Sequence, residues 1–185
     1  GVPLSEGPQQ SERAAARKAH VSANSAAAGF FSRQFQESPA AEFVREYVAG
    51  RGLDDRAQEQ FQIGFAPDSW DALRVYMHEL GYDDDDLINA GLARDRERGA
   101  YDVFRNRLMF PVFDRRGDIV GFGGRALGDD PAKYMNTPQT AAFDKGGVLY
   151  GLNLATESIR KAGSAVIVEG YMDALVAHQY DQPNV

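Results

Sequence analysis

From Ala19 to Ala90 apolar side chains recur every three or four residues, the spacing of helices that bury one stripe. Ser38-Pro39 supplies an N-cap followed by proline at the first helical position. Phe43, Val44, Tyr47 and Val48 then share a face until Gly50 and Gly52 stop the helix. Asp54 opens a short helix ending near Phe61. Asp68 is expected to cap another in which Trp70, Leu73, Met77 and Leu80 share a face and Gly81 terminates. Asp83 to Asp86 precede Leu87-Ile88, where the positive end of a further short helix favours them; a solvated helix start explains that acidic run more economically than a metal site.

After Gly99 the period changes. Leu108–Phe113 and Asp118–Phe122 are apolar runs joined by Arg115-Arg116-Gly117, which predicts a hairpin. Gly121, Gly123 and Gly124 then mark a place where side chains would obstruct a ligand or another backbone. Residues 133–138 read as a polar turn and Leu149–Lys161 as helix. Ala165–Val168 is a continuous β-branched run suited to a strand buried on both faces, with a helix, Tyr171–Tyr180, behind it. Pro183–Val185 looks like the start of the next strand. Strand, helix, strand opens a parallel α/β sheet whose functional edge, the carboxyl end of the strand, carries Glu169.

The 185 residues, 43% hydrophobic and 25% charged, suffice for a core without staples. Zero cysteines exclude disulfides, thiolate zinc sites, iron–sulfur clusters and a cysteine nucleophile, and make a cytoplasmic home the default. No apolar run approaches the ~20 residues of a membrane span, so no membrane role is expected. Residues 1–18, rich in Pro, Gln and Arg, read as a linker or frayed helix cut from something longer. A net charge of −7 argues against nucleic acid at first sight. Arg105 to Lys145, however, holds seven basic against five acidic residues, leaving −9 to the rest of the chain. A locally basic strip on an acidic body is compatible with a polyanion site.

Glu169 and Asp173 are the sharpest chemical pair. A carboxylate at a strand's carboxyl end and one in the first turn of the next helix can turn hard oxygen ligands into one crevice, as magnesium requires. Asp173 complementing a helix dipole and Glu169 capping backbone amides would explain the pair as well. Arg125 and Lys133 flank the glycine-rich turn, with Arg105 and Lys145 nearby in sequence; cations beside bare backbone suit phosphate, although each is also an ordinary surface residue. Tyr134 could stack on a base and Asn136 hydrogen-bond one, or both could serve the turn. His20, His78 and His178 show no metal-like spacing. No nucleophile elbow or phosphate-loop lysine is present.

Taken in order, six motifs resemble the bacterial replicative primase family of DnaG type. They are 101–112 (Tyr-Asp-Val-Phe-Arg-Asn-Arg-Leu-Met-Phe-Pro-Val), 116–127 (Arg-Gly-Asp-Ile-Val-Gly-Phe-Gly-Gly-Arg-Ala-Leu), 131–138 (Pro-Ala-Lys-Tyr-Met-Asn-Thr-Pro), 143–146 (Phe-Asp-Lys-Gly), 149–152 (Leu-Tyr-Gly-Leu) and 166–173 (Val-Ile-Val-Glu-Gly-Tyr-Met-Asp). Ile63–Pro67 and Gly50–Leu53 look like the family's helical part, and the likeness covers about residues 20–185.

The resemblance implies an α+β fold: a helical and mixed-sheet primase-core subdomain over 19–160, then the first strand and helix of an α/β Toprim subdomain over 161–185, incomplete. It implies a fragment of an RNA polymerase that makes primers on single-stranded DNA from ribonucleoside triphosphates, passing through an RNA–DNA hybrid. Glu169 matches the Toprim glutamate at the catalytic centre and Asp173 the aspartate near Mg2+ or Mn2+. Arg51, Arg125 and Lys133 match the template path; Lys133, Tyr134 and Asn136 match the nucleotide-contact loop; Lys145, Arg105 and Arg107 match positions facing the cleft. Zinc belongs to an N-terminal module missing here, and replicative helicase and single-strand-binding protein would bind through missing regions. The later paired aspartates are also missing, so this polypeptide alone is not expected to make primers. A Toprim nuclease or topoisomerase fragment, and a non-enzymatic single-strand or nucleotide-binding module, are the other readings.

Overall fold

The structure, a computed structural model, describes residues 8–97, 99–128 and 130–185. Helix α1 (Pro8–Glu37) opens the described chain. Residues 13–28 hold eight alanines, the strongest helix former, and the helix starts ten residues before the end of the stretch expected as linker. Residues 1–7 of that stretch lie outside the described residues. Arg17 is docked rather than free: its guanidinium meets Asp114 Oδ2 at 2.5 Å and Asp118 Oδ2 at 3.0 Å.

A short 3-10 turn (Pro39–Ala41) leads into α2 (Glu42–Gly50), and α3 (Asp55–Gln60) follows with Asp54 accepting the Ala57 N–H as its cap. Gly64–Ala66 is a strand, β1, where the sequence pattern suggested helix. It packs so closely on α1 that a Cβ at Gly64 would lie 2.6 Å from Phe31 Cβ. Helix α4 (Ala72–Glu79) is not capped by Asp68. The Leu73 and Arg74 amides are instead taken by the two oxygens of buried Asp102, brought from 29 and 28 residues away. Helix α5 (Asp84–Asn89) opens with a reciprocal Asp83/Asp86 capping box, and Asp84 pairs with Arg74 and His78, so the acidic run is committed to helix capping and ion pairing.

Two short strands, β2 (Ala93–Arg94) and β3 (Tyr101–Asp102), make a small ladder apart from the main sheet. The main sheet adds β4 (Arg107–Phe113), β5 (Ile119–Ala126) and β6 (Tyr134–Asn136) to β1, all antiparallel, in the order β1-β4-β5-β6. The hairpin is where the sequence placed it. The segment read as a turn, 133–138, contains an edge strand, because Tyr134, Met135 and Asn136 pair with Arg125, Gly124 and Gly123. Pro111 is tolerated inside β4 because β1 pairs only as far as Met109, so β4 has one neighbour there.

Period-two alternation sends β4 side chains to two cores. Met109 and Phe122 face α1, α4 and α5 with Phe31, Met77 and Leu87, while Leu108 and Phe110 face α2, α3 and helix α7 (Tyr171–Gln179) with Phe61, Phe65 and Leu175. Burial on both faces is why β4 reads as an unbroken apolar run. Helix α6 (Leu152–Ala162) begins three residues later than expected, after left-handed Gly151. Ala165–Val168 forms no strand. Ile167 is 86% exposed, and the one backbone bond of the segment is the Val166 N–H to the Asn184 carbonyl. Without a paired ladder on either side, a β-branched run has nothing to hold it extended.

Candidate nucleic-acid and nucleotide groove

The β5–β6 edge builds the site. Residues 121, 123 and 125 on β5 and 134 and 136 on β6 share a face, with Arg125 opposite Tyr134 and Gly123 opposite Asn136. Arg125 donates to the Tyr134 hydroxyl at 3.0 Å and lies over that ring at 5.6 Å; it also lies over the Tyr47 ring at 5.0 Å. Arg51, one helical turn after Tyr47, lies over the same Tyr47 ring at 5.2 Å. The ring therefore carries two guanidinium groups, at separations typical of cation–π contact. Lys133 lines the groove beside Arg125 and Tyr47.

At Tyr134 this basic run passes into a second hollow, lined by Tyr134, Asn136, Glu169, Gly170, Tyr171 and Asp173. Both carboxylates predicted from sequence thus open beside the cationic groove. Tyr171 joins the two walls. Its hydroxyl donates to Asn136 Oδ1 at 2.6 Å, its ring stacks on Phe110 at 5.0 Å, and it meets Tyr150 edge-on at 4.7 Å. A Cβ at Gly123 would come within 2.4 Å of the Tyr171 ring, so the glycine run does make room, for the protein's own tyrosine. A tyrosine hydroxyl is protonated at neutral pH, and burial pushes that of Tyr171 further above its ordinary range.

Three other predicted residues are placed elsewhere. Arg107 does not face a cleft. It is buried, ion-paired to Asp130 at 2.6 Å and bonded to the Gly124 and Ala132 carbonyls, because its position in β4 turns it under β5. Arg105 lies over Trp70 at 4.1 Å and Tyr101 at 5.4 Å and donates to the Asp102 carbonyl. Lys145 is exposed in the loop before α6 and is not among the residues lining either hollow. Sequence reasoning missed Tyr47 and Tyr171. The first was signalled by its spacing of four from Arg51 on one helix face, the second by its place between Glu169 and Asp173.

Residues 30–156 match the family described as DNA primase catalytic core, N-terminal domain. The chain belongs to that family. It is 43% identical over 160 residues to the DNA primase of Streptomyces coelicolor, covering 85% of this chain and 25% of that protein. With the Deinococcus radiodurans DNA primase it shares 47% over 137 residues, 73% of this chain and 24% of the relative. The chain therefore spans about a quarter of the length of the curated primases it matches. Among solved structures, the RNA polymerase domain of Mycobacterium tuberculosis primase DnaG, in complex with a double-stranded DNA oligomer with a 6-nucleotide overhang, superposes with a TM-score of 0.87 at 38% identity, covering 91% of this chain and 53% of that one. A DnaG primase catalytic domain bound to single-stranded DNA gives 0.84 at 37% identity, covering 92% and 55%. These matches agree with the α+β class and with a primase-core fragment. Among the described residues no three His, Asp or Glu side chains converge as a metal cluster, and no helix is long and apolar enough to cross a membrane.

Proposed function

We propose that this chain is the part of a primase that leads a single-stranded DNA template along Arg51, Arg125 and Lys133 to a nucleotide held at Tyr134, Asn136 and Lys133. The observation that supports this most is the continuity at Tyr134. One tyrosine bonds the central template cation and also lines the hollow that holds Glu169 and Asp173. Stacked guanidinium groups with exposed edges suit a phosphate backbone, and a half-exposed tyrosine suits an unstacked base. In the complete enzyme the reaction is nucleotidyl transfer: a ribose 3′-oxygen attacks the α-phosphorus of a ribonucleoside triphosphate, and pyrophosphate leaves.

Glu169 and Asp173 are exposed oxygen donors on one hollow and fit a hard cation, Mg2+ or Mn2+, as two of its usual six ligands. Such an ion would neutralise charge on the leaving pyrophosphate. A cytoplasmic setting, an RNA–DNA hybrid product, and helicase and single-strand-binding partners of the longer protein belong to the same proposal, while a Toprim nuclease gives Tyr134 and Asn136 no task.

Binding of a single-stranded oligonucleotide, followed by anisotropy across a salt series, tests the template path. Removing one phosphate-binding cation lowers the slope of log affinity against log salt by roughly 0.7. Replacing Arg51, Arg125 and Lys133 together by alanine is expected to lower it by about 2, with little dependence on base sequence. Unchanged affinity and slope would remove the assignment.

A further inference from the structure

Tyr171 stands between the two carboxylates, and three separate features hold it there: the flat stack on Phe110, the edge contact with Tyr150, and the missing side chain at Gly123, where even a Cβ would overlap the ring. So held, its hydroxyl reaches one partner, Asn136 Oδ1 at 2.6 Å. The hydroxyl donates to Oδ1 rather than accepting from Nδ2, and that direction goes with one of the two orientations of the Asn136 amide, since an asparagine has an acceptor end and a donor end. With the oxygen engaged, the Nδ2 end, with its two N–H donors, is the end left over in a hollow whose other polar groups are the Glu169 and Asp173 carboxylates and the Tyr134 hydroxyl.

We propose that Tyr171 is a positioning residue for nucleotide selection: it sets Asn136 as a hydrogen-bond donor, so that the hollow takes a nucleotide through an acceptor oxygen or nitrogen of its sugar, base or phosphate. This rests on the reading of the hollow as a nucleotide site. Asn136 contacts the nucleotide, and Tyr171 acts through Asn136. The orientation matters chemically because the carboxylates beside it accept hydrogen bonds and repel anions, so a flipped amide would leave the acceptors of a nucleotide short of a donor.

GTP with Mg2+ is the probe, titrated calorimetrically into the 185-residue chain, with single-stranded DNA affinity and melting temperature measured on every variant. Asn136→Ala is expected to weaken GTP about tenfold, and Asn136→Asp, which keeps the shape and can still accept from Tyr171 but has no N–H, to weaken it as much. Tyr171→Phe, which keeps every ring contact, is expected to cost about fivefold for GTP with DNA affinity unchanged and the melting temperature lowered only by what one hydrogen bond supplies. Gly123→Ala, which displaces the ring from the other side, is expected to match Tyr171→Phe. The double variant Tyr171→Phe/Asn136→Ala is expected to be no weaker than Asn136→Ala, as one pathway requires.

Additive effects in the double variant, or wild-type GTP affinity in Asn136→Asp or in Tyr171→Phe, would overturn the proposal while leaving the nucleotide site standing. Wild-type GTP affinity in Asn136→Ala, or no GTP binding by the parent chain, would instead overturn the nucleotide site itself.

Discussion

Asp102 shows how a single side chain can be indispensable to an element and still carry an electrostatic penalty. Its two oxygens take the first free amides of α4, yet it is buried, and desolvation raises its pKa from 3.8 to about 6 against the lowering effect of those same amide bonds. A carboxyl whose folded pKa lies above its unfolded value favours the fold most when protonated. Its contribution is full below pH 3.8 and disappears as pH rises through about 6. Chemical denaturation at a series of pH values should therefore show stability falling less steeply between pH 3.8 and 6 in Asp102→Asn than in the parent. Identical slopes would mean that the carboxylate is not desolvated as the packing implies. Nothing in the sequence near Asp68 announced this cap, because the two amides lie 29 and 28 residues from the carboxylate that serves them. The residue types of the groove, in contrast, were legible: arginine, lysine, tyrosine and asparagine beside glycine limit the chemistry before any fold is known. Arg107 is the exception. An arginine two positions from another gives no sign of which one β4 turns inward.

At the scale of elements, local signals succeeded where the chain serves itself and failed where it needs a neighbour. The helix α3 start at Asp54, the acidic start of α5 and the Arg115-Arg116-Gly117 turn are all decided within a few residues, and all three formed as expected. The turn is further tied by Asp114, whose Oδ1 accepts from the Arg116 and Asp118 amides. Strands β1 and β6 have three residues each, too few for a period to be read, and exist because β4 and β5 offer them edges. Residues 165–168 are the reverse case, with strong strand propensity and no ladder. Amide hydrogen exchange should separate the two. Leu108 and Met109, between two strands, are expected to be among the slowest amides of the chain. Ala165, Ile167 and Val168 are expected to exchange at near-unprotected rates, with Val166 slower through its bond to Asn184. Protection throughout 165–168 would show a ladder that the structure does not contain.

At the scale of the molecule, the sheet works as a partition. One core fixes α1, α4 and α5 beneath it, the other fixes α2, α3 and α7 above, and the upper side brings Tyr47 of α2 and Arg51 at its C-cap to the β5–β6 edge together with Tyr171 and Asp173 from α7. A net charge of −7 is no obstacle, because the fold gathers cations that are 74 residues apart in sequence, Arg51 and Arg125, onto one tyrosine. That convergence is a property of tertiary structure, and composition alone would have argued against it.

The functional reading depends above all on the Glu169/Asp173 hollow and the Arg125 groove forming one continuous surface. Paramagnetic broadening of assigned NMR signals by Mn2+ is the sharpest check of that continuity. Substoichiometric Mn2+ is expected to broaden Tyr134, Asn136 and Arg125 while Trp70 and Arg105 stay sharp, and Glu169→Gln with Asp173→Asn is expected to abolish the effect. Broadening centred on Asp83–Asp86, with Tyr134 and Arg125 untouched, would contradict it.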